Sequence, residues 1–185
     1  MTHQLNFIYN DSDWVCPSEY PDLRQATEVA IDLETKDPDL KTHGSGWATG
    51  KGHIVGFAVA ALGKQWYFPI AHDAGGNMDL AVTTAWMVDL LKTRSTKIFH
   101  NAMYDVCWIR GQLDFDINGQ IIDTMIAASL IDENRFQFTL NSCAWTWLNK
   151  GKSEARLIQA AKERGLDPKA DMWKMPAIDR KSTRL

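Results

Sequence analysis

A predicted β-hairpin limits the folds open to this chain. Two segments rich in β-branched and aromatic residues, HIVGFAVAAL (53–62) and KQWYFPI (64–70), are separated only by Gly63. This composition, with glycine at the turn, predicts two antiparallel strands. A third strand, over about 29–34, precedes the hairpin. A sheet that contains an antiparallel hairpin is not the all-parallel sheet of a dinucleotide-binding fold.

The rest of the chain alternates between helices and short strands. The predicted segments are a helix over 79–92, a strand over 97–100, a helix over 101–113, a strand over 120–122, and helices over 123–131 and 139–149. The helix over 101–113 has a continuous apolar stripe of Ala102, Val106, Ile109 and Leu113. The last helix has an apolar face of Leu140, Cys143, Ala144, Trp147 and Leu148. The order β-β-β-α-β-α-β-α-α predicts an α/β fold, with a mixed sheet flanked by helices.

Length and composition indicate one globular domain. The chain has 185 residues, of which 45% are hydrophobic and 23% charged, as is ordinary for such domains. No apolar run approaches the roughly 18 residues of a membrane span, and the N-terminus lacks the pattern of a signal peptide. The three cysteines are odd in number and have no CxxC spacing, which indicates reduced thiols. We therefore expect a cytoplasmic protein with no membrane partner.

Charge is distributed unevenly along the chain. Residues 1–149 contain 10 lysines and arginines against 18 aspartates and glutamates, whereas residues 150–185 contain 10 against 5. A basic segment beside an acidic body can guide a polyanion towards an acidic, metal-loaded centre. For any single lysine, an ordinary solvated helix surface is the better explanation.

Two acids stand where the first predicted strand ends. The apolar residues 29–31 lead directly into Asp32 and Glu34, whose side chains project from one face of a strand about 6.6–7 Å apart. Two such carboxylates repel each other unless a cation joins them. Hard oxygen ligands suit Mg²⁺ or Mn²⁺. Two ordinary surface acids remain the alternative for this pattern taken alone.

A third acid belongs to the segment HNAMYD (100–105), which starts at the end of a predicted strand and continues into a helix. Asn101 suits the N-cap position of that helix. Asp105 adjoins Val106 of the apolar stripe, so its carboxylate is expected at the edge of the buried face. An exposed aspartate favoured by the helix dipole is the alternative.

Other functional motifs do not occur in the sequence. The glycine-dotted loop HGSGWATGKG (43–52) fails the Walker spacing, because Ser45 stands at the first required glycine and Gly52 at the Ser/Thr position. No GxGxxG follows the first strand, which argues against dinucleotide binding. The absence of GxSxG, HExxH and HxH motifs argues against a serine hydrolase and a zinc enzyme.

Taken together, the motifs resemble those of the DEDD 3′–5′ exonucleases. The segments IDLET, HIVGFAVA, YFPIAH, HNAMYD, IIDTMIAASLID and TLNSCAWTWL occur in the order found in that family, over about residues 29–176. They are most like the proofreading domain of phage-encoded family A DNA polymerases. The resemblance implies an RNase H-like fold with a mixed five-stranded sheet. It also implies removal of 3′-terminal nucleotides from single-stranded DNA in replication.

The resemblance also implies roles for individual residues. Asp32 and Glu34 match the acids of the first exonuclease motif, and Asp105 matches the aspartate of the second. Thr35 and Asn101 match positions that lie near the 3′-terminal nucleotide. The family's mechanism implies two divalent ions, Mg²⁺ or Mn²⁺, about 3.5–4 Å apart. By this likeness the first acid bridges the ions, the second holds the ion that activates water, and the third orients the second ion.

The chain departs from the family at the third motif. That motif supplies a fourth aspartate, preceded by a tyrosine four residues earlier or a histidine five residues earlier. The last tyrosine here is Tyr104 and the last histidine is His100, so neither form follows Asp105. Asp179 is the only acid in the final segment and is the remaining candidate. Asp123, in IIDT, matches a commonly acidic position, and a role in capping the next helix explains it at least as well.

We therefore expect three parts along the chain. A segment over 1–26, with a short strand over 5–9, precedes an exonuclease-like domain over 27–177 whose C-terminal part is incomplete, and a basic tail follows over 178–185. The missing carboxylate predicts weak or absent activity unless a separately encoded polymerase part completes the site. A non-catalytic module that binds nucleic acid or docks on a polymerase is the alternative, and a truncated reading frame without an independent role is a third.

Overall fold

The computed structural model describes residues 15–151 and 155–177. This part of the chain contains five strands: β1 (Glu28–Lys36), β2 (His53–Ala61), β3 (Lys64–Pro69), β4 (Thr96–Phe99) and β5 (Ile121–Asp123). It contains seven helices: α1 (Leu40–His43), α2 (Gly46–Thr49), α3 (Leu80–Lys92), α4 (Ala102–Leu113), α5 (Thr124–Ile131), α6 (Leu140–Leu148) and α7 (Ala155–Glu163). A single 3-10 turn follows at Met172–Lys174. The strand predicted over 5–9 and the predicted tail over 178–185 lie outside the described residues.

The five strands form one mixed sheet in the order β3-β2-β1-β4-β5. The hairpin strands β2 and β3 are antiparallel, and β2 is antiparallel to β1. In contrast, β4 runs parallel to β1, and β5 runs parallel to β4. The predicted mixed sheet with flanking helices is therefore confirmed. None of the helices in the described ranges is both long and apolar enough to cross a membrane.

The hairpin turn has the backbone that tight β-hairpins require. Leu62 and Gly63 both have positive φ angles, of 52° and 71°, as in the two-residue turns whose twist matches that of the strands. The glycine-dotted loop between β1 and β2 contains the short helices α1 and α2, which the sequence pattern does not predict.

One face of the sheet carries the main hydrophobic core. Val29, Ile31 and Leu33 alternate along β1, and each is at most 5% exposed. Other fully buried members of this core come from neighbouring strands and helices: Ile54, Phe57, Phe68, Met87, Leu91 and Ile109. Because side chains alternate between the two faces of a strand, burial of these residues turns Asp32 and Glu34 onto the opposite face.

The irregular segment before β1 also packs on this core. The ring of Tyr20 lies 5.8 Å from that of Phe68 and 5.5 Å from that of Trp86, and its hydroxyl is 2.7 Å from the Thr83 hydroxyl. Leu23 is buried beside them. This segment therefore covers the core side of the sheet, away from the two acids.

The buried residues of α4 match the predicted stripe only at Ala102 and Ile109. Asp105, Trp108 and Ile109 are at most 3% exposed, whereas Val106 and Leu113 are only partly buried. The loop before β2 explains the difference, because it packs on the indole of Trp108. A Cβ added at Gly46 would come 2.9 Å from the Trp108 ring. The loop therefore covers the side of α4 that carries Trp108 and, one turn earlier, Asp105.

The apolar face predicted for the helix over 139–149 is exposed in its C-terminal half. Helix α6 buries only Cys143 and Ala144, while Trp147 is 44% exposed and carries the guanidinium of Arg135 4.7 Å from its ring centre. Helix α5 likewise buries only Ala128. These two helices and the segment between them leave a set of large apolar side chains exposed: Ile126, Leu130, Ile131, Phe136, Trp145, Trp147 and Leu148. A helical face that is apolar in sequence is not buried unless another element packs against it.

On the opposite face of the sheet, a small cluster joins the hairpin to the segment that follows α7. Ala58, Tyr67 and Ala177 are buried together. Gly56 is essential to this packing, since a Cβ added there would lie 2.2 Å from the Tyr67 hydroxyl oxygen and 2.5 Å from Cζ. The phenol therefore rests directly on the backbone of β2.

We expect Gly56→Ala to lower the free energy of unfolding by about 3 kcal/mol, because an added methyl group displaces a fully buried tyrosine. Gly50→Ala is the matched control. Gly50 has a φ of 70° and open space around its Cα, so alanine there adds only backbone strain of about 1–2 kcal/mol. Urea unfolding followed by circular dichroism measures both. Equal destabilisation by the two substitutions would contradict the close contact between Tyr67 and β2.

Candidate acidic site

The candidate site lies where three strands end. Strands β1, β4 and β5 are parallel, so their C-terminal ends meet at one edge of the sheet. Polar side chains of the predicted motifs lie at or directly after each of these ends. Glu34 and Thr35 belong to the end of β1, Asn101 follows β4, and Asp123 ends β5. The fold thus brings together segments that are far apart in the sequence.

Asp32 and Glu34 share one face of β1, as predicted. Asp32 is paired across the sheet with Ala58, and Glu34 with Gly56. Asp32 is exposed, while only 7% of Glu34 is accessible. The pairing of β1 with β2 shifts register directly after Glu34, and such irregularities redirect side chains at functional edges. One acid therefore faces solvent, and its neighbour is held in the protein.

Asp105 is joined to the strand between these two acids. Its Oδ1 accepts a hydrogen bond of 2.9 Å from the backbone N–H of Leu33, and the residue is only 3% exposed. Strand β4 pairs with β1 only as far as Ala30, so the carboxylate takes the place of a strand partner beyond that point. Asp105 lies deeper than the edge position predicted for it, and this depth brings the third acid to the first two.

The donor set has the chemistry of a Mg²⁺ or Mn²⁺ site, because carboxylate oxygens are hard ligands. Asp32 and Glu34 offer theirs from one face, and Asp105 is tied to the amide between them. Within residues 15–151 and 155–177, no three acidic, histidine or cysteine side chains are gathered into a ready-made cation shell. The type of these ligands and the face on which they lie therefore fit a divalent ion. Further ligands are required to complete its coordination shell.

Thr35 belongs to a hydrogen-bonded chain beside the acids. Tyr104 donates its hydroxyl hydrogen to Asp37 Oδ2 at 3.0 Å, so the Thr35 hydroxyl, 2.7 Å away, donates to the Tyr104 oxygen. Burial raises the pKa of Tyr104, which keeps the phenol protonated for this role. Asp37 uses its other oxygen to accept from the Gly46 N–H at 3.0 Å. The chain fixes the start of the loop that follows β1.

Asn101 occupies the N-cap position of α4, but its side chain makes no capping bond. Asp123 does so instead: its carboxylate accepts from the N–H groups of Asn101 and Ala102 at 3.0 and 2.8 Å. It also accepts from the N–H groups of Met125 and Ile126 in α5. Burial tends to raise the pKa of Asp123, but the four backbone donors outweigh it and the pKa is lowered. Capping of the next helix is confirmed, and the same carboxylate caps α4.

Asn101 itself has a left-handed backbone, with φ of 66°, a conformation that asparagine tolerates better than most residues. Its exposed side chain is thereby presented at the sheet edge. Asp179 lies outside the described residues. Sequence reasoning missed the buried pair Tyr67 and His72 on the face of the acids, although the segment YFPIAH contains both.

No protein-family model matches the chain. In an alignment of 177 positions that covers 92% of this chain, it is 37% identical to the DNA-directed DNA polymerase of Pseudomonas phage M6. The chain spans 27% of that polymerase. The similarity therefore concerns one part of a much longer protein.

Two solved structures share the arrangement of the sheet and helices. Trypanosoma brucei RNase D in complex with GMP superposes with a TM-score of 0.63, at 17% identity, over 84% of this chain and 45% of its own. Brucella melitensis NrnC with bound Mg²⁺ gives a TM-score of 0.52, at 22% identity, over 72% of this chain and 59% of its own. The chain has an RNase H-like fold. The fold implied by the sequence motifs is thus confirmed, including its mixed five-stranded sheet.

We expect Asp123→Ala to lower the free energy of unfolding by about 2–3 kcal/mol, because it removes the cap of two helices at about 1 kcal/mol or more each. Asp132→Ala, at the C-terminal end of the same helix α5, is the control and should change stability by less than about 0.5 kcal/mol. Urea denaturation measures both variants. A stability of Asp123→Ala equal to that of the wild type would show that its four hydrogen bonds contribute nothing.

Proposed function

We propose that the chain is the 3′–5′ exonuclease domain of a DNA polymerase I-like protein. The observation that carries the proposal is the hydrogen bond from the Leu33 amide to Asp105. It joins the third acid to the strand segment that carries Asp32 and Glu34. The 37% identity to a phage DNA polymerase supports the same assignment. We propose residues 27–177 as the domain, with 1–26 preceding it and 178–185 as a basic tail.

Asp32, Glu34 and Asp105 are the proposed catalytic residues and ligands of two Mg²⁺ or Mn²⁺ ions. When bound, such ions lower the pKa of water and offset charge on the phosphoryl oxygens. The chain's own contribution is to hold the carboxylates on a rigid sheet edge, with Asp105 fixed by the Leu33 amide. The Mg²⁺ bound to the NrnC neighbour supports the choice of cation.

The proposed substrate is the 3′ end of single-stranded DNA. Thr35 and the exposed Asn101 stand at the same edge as the acids, and they are the proposed contacts of the terminal nucleotide. Unpaired bases are favoured because they can stack on apolar side chains. The excess of lysine and arginine after residue 149 supports attraction of a polyanion. Replication in the cytoplasm of a bacterium or phage-infected cell is the proposed setting.

The pattern of the exonuclease family includes a fourth carboxylate, and there are two candidates for it. Asp179 is the candidate within this chain, and a separately encoded polymerase part is the candidate outside it. Loss of a residue that supports a metal ligand costs about 10–100-fold in metal affinity or activity, and loss of a ligand itself costs at least as much. We therefore propose that this chain alone is a slow exonuclease.

A non-catalytic module that binds nucleic acid or docks on a polymerase is the second candidate function. The exposed apolar side chains of α5, α6 and the segment between them favour it. Phe136 is fully exposed, and Leu130 is 82% exposed. Exposed apolar patches of this kind mark interaction surfaces. The similar phage polymerase is much longer than this chain, and the remainder of such a protein is the proposed partner. Binding of oligonucleotide without Mg²⁺, unaffected by Asp32→Ala, would favour this module over the enzyme.

Digestion of a 5′-labelled single-stranded oligonucleotide in Mn²⁺ tests the proposed activity. With enzyme in excess over substrate, we expect slow shortening from the 3′ end, which stops in EDTA and falls at least about 100-fold in Asp32→Ala. Asp89→Ala, an acid at an exposed position of α3, is the control and should retain the wild-type rate. Either no shortening by the folded wild-type chain or an equal rate in Asp32→Ala would overturn the proposal.

A further inference from the structure

A buried polar chain lies on the face of the sheet that carries the acids. The Tyr67 hydroxyl is hydrogen-bonded to His72 Nε2 at 2.5 Å, and His72 Nδ1 lies 3.0 Å from the carbonyl oxygen of Met175. Tyr67 is 1% exposed and His72 is 3% exposed. Asn77 holds the backbone of His72 from both sides, accepting from its N–H and donating to its C=O. Both rings are thus fixed in place.

The Met175 carbonyl determines the direction of these hydrogen bonds. A carbonyl oxygen only accepts, so Nδ1 carries the hydrogen that it receives. In the neutral imidazole the other nitrogen is then an acceptor, and Tyr67 donates to it. The phenol is therefore held in one orientation, with its hydrogen directed at His72 and its oxygen remaining over the sheet.

The sheet register places this phenol beside the acids. Tyr67 pairs with Ala58, which pairs in turn with Asp32. The phenol oxygen lies over Gly56, and Gly56 is the cross-strand partner of Glu34. Directly paired positions have Cβ atoms about 4.5–5.5 Å apart on one face. The phenol of Tyr67 therefore packs on the backbone of β2 directly across from Glu34. It acts on Glu34 through this packing, because its hydrogen is donated to His72.

Filling of space does not account for these groups. Phenylalanine would occupy nearly the same volume without a polar atom, and burial of a hydroxyl and an imidazole is costly unless both are hydrogen-bonded. The same chain also holds the segment after α7, because Met175 receives the bond from His72 and Ala177 packs on Tyr67. The hydrogen-bonded chain joins Tyr67, which lies across from Glu34, to the segment after α7. This connection points to a role in the site.

We propose that Tyr67 is a positioning residue for Glu34, and that His72 positions Tyr67. Together they fix the face of β1 and β2 on which Asp32 and Glu34 receive a divalent cation. This inference rests on the proposed function of the acids. It concerns residues that support the site, because neither ring is placed to contact substrate.

Mn²⁺ binding to the full 185-residue chain tests the inference without an activity readout. Free Mn²⁺ is followed by electron paramagnetic resonance during titration of the wild type and of Tyr67→Phe. We expect the dissociation constant at the Asp32-dependent site to rise about 10-fold in Tyr67→Phe, as is usual when the support of a ligand is removed. The same variant should lower kcat and leave the KM for oligonucleotide unchanged.

Tyr20→Phe is the matched control, because it also removes a partly buried tyrosine hydroxyl. The partner of that hydroxyl, Thr83, lies on the other face of the sheet. It should leave the Mn²⁺ dissociation constant at the wild-type value. Comparison of the thermal midpoints of the two variants separates site effects from general loss of stability. An unchanged dissociation constant in Tyr67→Phe would overturn the role of Tyr67.

Two substitutions at His72 test the second half of the inference and remain informative if Tyr67→Phe does not fold. His72→Gln keeps an amide near the position of Nε2, whereas His72→Leu leaves Tyr67 without this partner. We expect His72→Gln to bind Mn²⁺ more tightly than His72→Leu, and equal wild-type affinity in both would overturn the role of His72. If the wild type binds Mn²⁺ no better than Asp32→Ala, the proposed function itself fails, and the inference fails with it.

Discussion

The hydrogen bond from the Leu33 amide to Asp105 is the contact on which the site depends. Strand β4 stops pairing with β1 at Ala30, and beyond that point the carboxylate of α4 occupies the open edge of β1. Without this bond a buried N–H and a buried carboxylate would each lose a partner, which costs several kcal/mol in total. The same contact brings the third acid to the first two, so stability and site assembly share one interaction.

Much of this architecture could be predicted from the sequence because local patterns decide it. The Leu62–Gly63 turn, the alternation of residues along β1 and the capping aspartate before α5 depend on neighbours a few residues away. The pairing of acids on one face of β1 follows from the period of a strand. How deeply a side chain is buried, and which residues it contacts, depend instead on segments that are distant in the sequence. Trp108 is covered by a loop that contains Gly46, and Asp105 lies one helical turn before Trp108 on the same covered side of α4.

Buried polar groups mark the limit of prediction from composition. Lys97 is fully buried on the core side of β4, where its ammonium donates to the carbonyl oxygens of Thr93, Ser95 and Asn118, and burial lowers its pKa. Burial also lowers the pKa of His72. The hydrogen-bond partner of its Nδ1, the Met175 carbonyl, is more than a hundred residues away in the sequence. In the sequence alone, charged or polar residues of this kind suggest surface positions. Only the folded chain shows the acceptors that make their burial tolerable.

The location of bound Mn²⁺ tests the central claim most directly, because the ion broadens the NMR signals of nearby amides. In a ¹⁵N–¹H spectrum with substoichiometric Mn²⁺, we expect the signals of residues 32–34 and their cross-strand partners 56–58 to vanish first. The signals of the Leu62–Gly63 turn, at the other end of the hairpin, should persist. Broadening centred on other acids, such as Asp114 and Asp116, or no selective broadening at all, would contradict the assignment of Asp32, Glu34 and Asp105 as a cation site.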